Sequence, residues 1–355
     1  MNSITYESCT IHFNEVCYPA LNEHIKEFNF SKIFILVDEN THVHCLPNLL
    51  EKLETACVVE IIEIESGEIN KNIDTCVGVW NALSELDADR KSLLINVGGG
   101  VVTDLGGFVA CTFKRGIDYI NLPTTLLSMV DASVGGKTGV DLGHLKNQIG
   151  VISLPNLVLI DTSYLETLAQ NQMRSGLAEM LKHGLIKDAN YWNKLKNLSQ
   201  LAFDDLDELI YESVLIKKDV VEKDPFENNL RKTLNFGHTL GHAIESYFLS
   251  KADKQTLLHG EAIVIGMILA CYISTKLSEL NLNQADMIKE SLINYYGKVE
   301  ILEDDHKPIL DLLKYDKKNH HGNINFVLLE SIGNPIIDCL VDDAIILEAF
   351  EYYRE

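Results

Sequence analysis

From Leu234 to Glu245 the chain reads Leu-Asn-Phe-Gly-His-Thr-Leu-Gly-His-Ala-Ile-Glu, and Leu258-His-Gly-Glu261 follows. Three histidines, one asparagine and two glutamates thus fall within 28 residues. His238 and His242 are four apart, so on a helix they project from one face, roughly 6 Å apart along the axis. His259 arrives from a separate segment that opens another helical stretch. Imidazole is the commonest neutral nitrogen ligand of zinc and carries protons near neutral pH. The segment can therefore hold a metal, move protons, or do both, and on spacing alone either member of the helix pair qualifies as a ligand. A single histidine is more often an ordinary core or surface residue. Three of the chain's twelve, set among glycines and small side chains, favour a site.

Two further stretches offer phosphate chemistry. Gly98-Gly-Gly-Val-Val-Thr-Asp-Leu-Gly-Gly107 follows an apolar run, Ser92–Val97. Glycines there allow positive φ and close backbone approach, and the next helix presents unpaired N–H groups to a phosphate. A strand, a turn and a helix in that order suit a dinucleotide pyrophosphate, although Thr103 breaks the G-x-G-x-x-G spacing. A bare βα turn explains this segment equally well. Gly67-Glu-Ile-Asn-Lys71, after another apolar run, could reach a ribose and adenine, but is weak alone. The second stretch, Pro123 to Asp141 continuing to Lys146-Asn147, gathers hydroxyls, a carboxylate and a Gly-Gly-Lys turn. It lacks the first glycine of G-x-x-x-x-G-K-[ST], which argues against an NTPase. It reads as a polar loop suited to a phosphorylated polyol. Lys182, Lys217, Arg231, Lys317 and Lys318 add cations. Each alone is most simply a solvated charge.

These groups need a scaffold, and the pattern of the chain supplies one. Up to about residue 165, short apolar runs (Lys32–Val37, Val58–Ile64, Ser92–Val97, Tyr119–Leu122, Leu157–Ile160) alternate with helical stretches such as Ile73–Leu86. Such alternation implies an α/β sheet with parallel pairing. Beyond Thr167 long amphipathic stretches take over: Ser175–Lys187, Leu206–Glu222, Thr233–Phe248, Glu261–Leu277 and Gln284–Tyr296. Ile324–Leu329 is expected to form a small strand pair with Val341 or its neighbours. The pattern predicts an open, parallel α/β sheet in the first half, to about residue 165, and a mostly helical second half from about Thr167.

Composition narrows the function. With 355 residues, 46% apolar and 23% charged, two globular domains are the natural expectation. The net charge of −22 opposes binding to nucleic acid or anionic membranes. Eight scattered cysteines without a C-x-x-C pair read as reduced thiols of a cytoplasmic protein. The N-terminus lacks a signal-peptide pattern, and the longest apolar run, Ala262–Ile273, is too short to span a bilayer.

Taken together, these words resemble the 3-dehydroquinate synthase family, a branch of the sugar phosphate cyclases, over nearly the whole chain. They are Gly67-Glu-x-x-Lys71, Gly98-Gly-Gly-Val-Val-x-Asp104, Arg115-Gly116, Pro123-Thr-Thr-Leu-Leu127, Val130-Asp-x-Ser-Val-Gly-Gly-Lys-Thr138, Lys146-Asn147, Gly176-x-Ala-Glu-x-x-Lys182, the Leu234–Glu245 stretch, His259-Gly-Glu261 and Asp316-Lys-Lys318. Their joint occurrence in this order is what is specific.

The resemblance implies a Rossmann-like, NAD-binding α/β domain over residues 1–166 and an all-α metal- and substrate-binding domain over 167–355, with NAD and a divalent metal, Zn²⁺ or Co²⁺, as cofactors. It implies conversion of 3-deoxy-D-arabino-heptulosonate 7-phosphate to 3-dehydroquinate and phosphate. The implied steps are transient oxidation at C5, β-elimination of phosphate, return of the hydride, ring opening and an intramolecular aldol. It gives the metal to Glu179, His242 and His259, and leaves His238 to the substrate and proton transfer. Asp131, Lys182 and Asn235 would meet the polyol. Lys137, Asn147, His238 and Lys318 (in preference to Lys317) would surround the phosphate, and Lys217 and Arg231 would hold the carboxylate. NAD would contact Asp38, Asn40, Glu68, Lys71, the turn of Gly100, Val101, Val102, Thr103 and Asp104, then Thr124, Thr125, Lys137, Lys146 and the turn of Tyr164, Leu165, Glu166 and Thr167. Arg115 would reach the partner subunit of a homodimer. Three positions depart from the family pattern: Thr103 replaces a glycine expected to need positive φ, Asp141 an asparagine, and His183 a tyrosine. The alternatives are a sister cyclase, a metal-dependent polyol dehydrogenase and a non-catalytic NAD- and metal-binding protein. The intact Ser133–Thr138 loop weighs against the first, the many anion partners against the second, and the retention of every expected metal ligand and lysine against the third.

Overall fold

The computed structural model describes residues 1–143, 145–196, 205–251, 253–313 and 324–355. Two compact units form, Met1–Met173 and Arg174–Glu355.

In the first unit, strands β1 (Ile4–Tyr6) and β2 (Cys9–Phe13) precede helix α1 (Cys17–Phe28). Then come β3 (Ile33–Asp38), α2 (Glu39–His44), α3 (Leu46–Lys52), β4 (Val59–Ile64), α4 (Ile73–Glu85), β5 (Leu93–Gly98), α5 (Gly100–Thr112) and β6 (Asp118–Pro123). The hairpin of β7 (Lys137–Leu142) and β8 (Leu145–Ile152) and the last strand β9 (Leu157–Ile160) complete the unit. The main sheet has the order β1-β2-β9-β6-β5-β3-β4 and is parallel apart from the β1–β2 pair. Strand β5 is buried along its whole length, and its neighbours β3 and β6 at all but one residue each, as strands covered on both faces must be. The strand order reverses between β3 and β5, so the crevice beyond their C-terminal ends, at Asp38 and Gly98, is where such sheets bind ligands.

The apolar runs thus form strands within one or two residues of expectation, and α4 follows its expected span. The stretch from Pro123 to Asp141 differs. It holds a π-helical turn, Ser128–Ala132, and then strand β7. Glycine hides the strand pattern here. Gly139 faces Gly150 across the hairpin, and a Cβ on Gly139 would lie 2.4 Å from the Ile149 carbonyl oxygen.

In the second unit, α6 (Gln170–Lys187, which begins within the first), α7 (Ala189–Leu195), α8 (Leu206–Lys223), α9 (His238–Leu249), α10 (His259–Leu277), α11 (Leu282–Tyr296) and α12 (Glu303–Leu313) precede a hairpin, β10 (Asn325–Ser331) with β11 (Asn334–Leu340). Helix α13 (Asp343–Arg354) closes the chain. The expected partner of the Ile324–Leu329 run is therefore the segment just before Val341. Helix α10 is long and apolar enough to cross a bilayer, but 72% of its most apolar stretch is buried inside the fold, as a core helix requires. Helix α9 starts five residues later than the apolar pattern suggests, because Gly237 is left-handed at φ 78° and breaks the helix from the 3₁₀ turn Leu230–Asn235. The break lets α9 and α10 cross closely: a Cβ on Gly266 would lie 2.0 Å from the Gly237 carbonyl oxygen.

Candidate functional site

The α9–α10 crossing brings the histidines together. The rings of His238, His242 and His259 lie with centroids 5.2, 5.4 and 5.6 Å apart, and each offers a nitrogen within 4.8 Å of the others. Helix α6 adds Glu179, fully buried. Its Oε1 stands 3.5 Å from His238 Nε2 and 3.7 Å from His259 Nε2, while Oε2 accepts a hydrogen bond from the buried ammonium of Lys182. Zinc bonds of about 2.0–2.2 Å at tetrahedral angles put donor atoms about 3.3–3.6 Å apart, so this donor set fits a divalent metal.

The outer nitrogens support the same reading. His238 Nδ1 lies 3.2 Å from the Phe236 carbonyl oxygen, which can only accept, so Nδ1 carries the proton and Nε2 presents a lone pair. His259 Nδ1 lies 3.3 Å from Glu245 Oε2 and is fixed likewise. Metal-ligating imidazoles are held in this way. Burial alone would lower the pKa of His259, but hydrogen bonds to Glu179 and Glu245 raise it to about 9. The resemblance left His238 to the substrate; its position on Glu179 gives it a claim of its own as a ligand.

Other expected groups of this unit lie close in sequence and are organised locally. Lys217 and Arg231 are buried, and the Arg231 guanidinium donates to the Pro225 carbonyl (2.6 Å). Asp224 accepts the backbone N–H groups of Asn228 (3.0 Å), Asn229 (2.7 Å) and Arg231 (3.0 Å). Burial works against its charge, yet these bonds hold its carboxyl below the usual range. Asn235 donates through Nδ2 to Glu227 Oε1 (2.6 Å), and Glu227 itself is left-handed at φ 60°. Sequence reasoning missed Glu227 and Asp224; a carboxylate in an unpatterned loop carries no periodic signal. His183 is buried and bonds Ser213 Oγ through Nδ1 (2.7 Å). Lys317 and Lys318 lie outside the described residues.

In the first unit, Gly98, Gly99 and Gly100 keep negative φ, so the glycine-rich turn needs space rather than an unusual backbone. A Cβ on Gly98 would meet Val102 at 2.5 Å, and one on Gly106 would meet Asn96 Oδ1 at 2.0 Å. Thr103 departs from the family without strain. It sits inside α5 without positive φ, and its hydroxyl bonds the Gly99 carbonyl (3.2 Å), an ordinary helical arrangement. Val101, Val102 and Asp104 share the opening turns of this helix.

Lys71 is the hub of this unit. Its buried ammonium donates to Asp104 Oδ2 (2.6 Å) and Asn147 Oδ1 (2.7 Å). Burial opposes its charge, and the carboxylates of Asp104, Glu68 and Asp141 outweigh that, raising its pKa. Asn147 is left-handed at φ 50°, and its N–H donates to Asp141 Oδ1 (2.6 Å), so the carboxylate at 141 does the capping an asparagine would do. Lys146 pairs with Glu68 at 3.5 Å. Asp38 caps α2 through Thr41 N (2.8 Å), leaving Asn40 on its exposed first turn. Thr124 N bonds the Gly98 carbonyl (3.0 Å), and Thr125 bonds Ser128. Asp131 lies in the π-helical turn, and Lys137 opens β7, exposed. Tyr164 and Leu165 are buried, with Glu166 and Thr167 exposed behind them. The Tyr164 hydroxyl meets that of Tyr18 at 2.9 Å. Lys114, Arg115 and Gly116 form an exposed turn with φ of 49°, 72° and 114°.

Residues 61–175 match the family described as 3-dehydroquinate synthase N-terminal, and residues 176–319 the family described as 3-dehydroquinate synthase C-terminal. The chain is 41% identical over 337 residues to a 3-dehydroquinate synthase of Parabacteroides distasonis, covering 94% of this chain and 95% of that protein. Among solved structures it resembles the 2-epi-5-epi-valiolone synthase of Streptomyces hygroscopicus subsp. jinggangensis with bound NAD⁺ and Zn²⁺. The TM-score is 0.84 at 24% identity, covering 100% of this chain and 98% of that one. It also resembles a 2-deoxy-scyllo-inosose synthase complexed with carbaglucose-6-phosphate, NAD⁺ and Co²⁺, with TM-score 0.82 at 24% identity and 97% and 96% covered. At that identity the structures speak to the fold, and the sequence matches to the family: the chain belongs to the 3-dehydroquinate synthase family.

Proposed function

We infer that this chain is a lyase of the shikimate pathway that converts 3-deoxy-D-arabino-heptulosonate 7-phosphate to 3-dehydroquinate and phosphate, using NAD and a divalent metal. The observation that carries the reading is a buried carboxylate oxygen, Glu179 Oε1, faced by two imidazole nitrogens, in a chain so close to known synthases. Bound metal supplies Lewis acidity that lowers the pKa of the hydroxyl to be oxidised, and NAD takes up and returns one hydride. The chain's own residues bind, orient and neutralise charge.

We assign the metal to Glu179, His238 and His259. His242, one turn along α9 from His238, then faces the substrate as proton carrier, an exchange of roles between the two α9 histidines relative to the resemblance. Lys182 pairs with Glu179 and meets the polyol with Asn235, which Glu227 orients, and with Asp131. Lys217 and Arg231 take the substrate carboxylate; Lys137, Asn147 and Lys318 take the phosphate. Lys71, with Asp104, Glu68 and Lys146, shapes the NAD site around the opening of α5, flanked by Asp38, Asn40, Thr124, Thr125 and the Tyr164–Thr167 turn. We assign Arg115, on the exposed turn Lys114–Gly116, to the partner's site of a homodimer. We place the enzyme in the cytoplasm.

The test mixes purified protein with the heptulosonate phosphate, zinc and catalytic NAD⁺. Equal amounts of phosphate and dehydroquinate with no net NADH are expected. Inactivity there, with phosphate released from glucose 6-phosphate or cyclisation of sedoheptulose 7-phosphate, would make it a sister cyclase. Net NADH from a polyol would make it a dehydrogenase.

A further inference from the structure

Glu245 ends the histidine stretch of the sequence and has no part in the reaction as set out above. It lies on α9, one turn beyond His242, and is 7% exposed. Its Oε2 stands 3.3 Å from Nδ1 of His259, the first residue of α10. The backbone of His259 is clamped independently. Leu258 N–H donates to Glu261 Oε2 (3.0 Å), and Gly260 N–H to Ser175 Oγ (3.0 Å). A Cβ on Gly260 would lie 2.3 Å from the Ser175 carbonyl oxygen, so that residue cannot shift far from α6. These contacts fix where the imidazole begins. They leave its rotation about the side-chain bonds, and the nitrogen that bears the proton, to be decided by what the ring meets. On one side it meets Glu245, on the other Glu179, whose Oε1 is 3.7 Å from Nε2.

We propose that Glu245 is a positioning residue for the metal, accepting the Nδ1 proton of His259 so that Nε2 is held bare and aimed at the site of Glu179. The inference rests on the metal reading above. A carboxylate in this role locks the tautomer, fixes the ring plane and makes Nε2 a stronger donor. The close approach of α9 and α10 is what makes the contact possible. At Gly241, one turn before Glu245, a Cβ would meet the Ile263 side chain at 2.7 Å and the Ala262 carbonyl oxygen at 3.1 Å. The crossing that unites the histidines thus also brings this carboxylate within reach of His259.

The test compares wild type with Glu245→Gln, Glu245→Leu and His259→Ala. Zinc affinity is measured by chelator competition, the visible spectrum is recorded with Co²⁺ in place of zinc, and the melting temperature is taken without metal. The proposal expects Glu245→Leu to weaken zinc binding about 10- to 100-fold and to alter the Co²⁺ spectrum. It expects Glu245→Gln, whose amide oxygen still accepts the Nδ1 proton, to recover part of the affinity, and the metal-free melting temperatures of both folded variants to stay near wild type. Wild-type zinc affinity in Glu245→Leu, with binding lost in His259→Ala, overturns the proposal and leaves the metal site standing. A wild type that binds no zinc overturns both. Should Glu245→Leu fail to fold, Glu245→Gln decides: an affinity and spectrum identical to wild type, together with tight binding in Glu245→Asp, whose shorter arm cannot reach, overturn it.

Discussion

His238→Ala separates two readings of the histidine cluster. If the metal sits on Glu179 Oε1 with the Nε2 atoms of His238 and His259, the variant loses one of three protein ligands. The observed spacings of 3.5 and 3.7 Å need to contract by only a few tenths of an ångström to match a tetrahedral zinc. Structural zinc sites with four protein ligands bind with about 10–16 kcal/mol, or roughly 2.5–4 kcal/mol per ligand. At 1.4 kcal/mol per factor of ten, the loss is on the order of a hundredfold to a thousandfold in zinc affinity. His242→Ala, removing a group that faces the substrate, should leave zinc affinity within a few-fold of wild type while lowering turnover. The assay is competition against a chromophoric chelator at fixed pH, with His259→Ala as reference for a lost ligand. Wild-type zinc affinity in His238→Ala, with loss in His242→Ala, would refute the assignment and return the third ligand to His242.

Three other perturbations probe the framework. Gly266→Ala drives a methyl group to 2.0 Å from the Gly237 carbonyl oxygen; overpacking of this kind costs about 1–3 kcal/mol. It should lower melting temperature and zinc affinity together, and a change in neither would reject the close crossing as the device that gathers the histidines. Lys71→Met strips the cation from Asp104 and Asn147 and should cost about 3 kcal/mol and weaken NAD binding; calorimetric and NAD-binding curves overlaying wild type would contradict it. Asp305 accepts hydrogen bonds from Lys254 Nζ (2.6 Å) and the Tyr247 hydroxyl (2.6 Å). Burial would raise its pKa, and these partners instead hold it below the ordinary carboxyl range. Its stabilisation is therefore complete above that range and disappears as pH falls through the depressed value. Asp305→Asn should lose about 1–3 kcal/mol at neutral pH and converge with wild type in acid; a deficit constant down to acid pH would show that the charge is not the cause.

Strands β3, β4, β5, β6 and β9 were legible because they are apolar runs, whereas β1 and β2, short and with polar residues alternating, were not. The β7–β8 hairpin was not, because Gly139 and Gly150 pair with no side chain to alternate. The role of Gly237 was equally hidden. A glycine inside an amphipathic stretch reads as a weak helix position, and only the crossing partner Gly266 shows that the chain must turn there. The site residues were legible as words, but their partners were not. His238 and His242 are equivalent by spacing, and what distinguishes them is a carbonyl at Phe236 and a carboxylate from α6, neither of which sequence spacing reports.

Helix α6 shows how such a site announces itself physically. Its buried face carries Glu179, Lys182 and His183 among Leu177, Met180, Leu181 and Leu185. Ionisable side chains in a core cost desolvation energy that a hydrophobic replacement would avoid. Pairing with Lys182 offsets part of that cost for Glu179, but a pair that only held the helix in place would be bettered by two leucines. The position of Glu179 Oε1, toward two imidazole nitrogens whose far sides are already bonded, gives the carboxylate a task that leucine cannot do. Breaches of the apolar pattern that converge from separate helices on one point mark function more surely than any one motif does. On that criterion the carboxylates of Glu245 and Glu227, each bonded to a site residue, belong to the same construction.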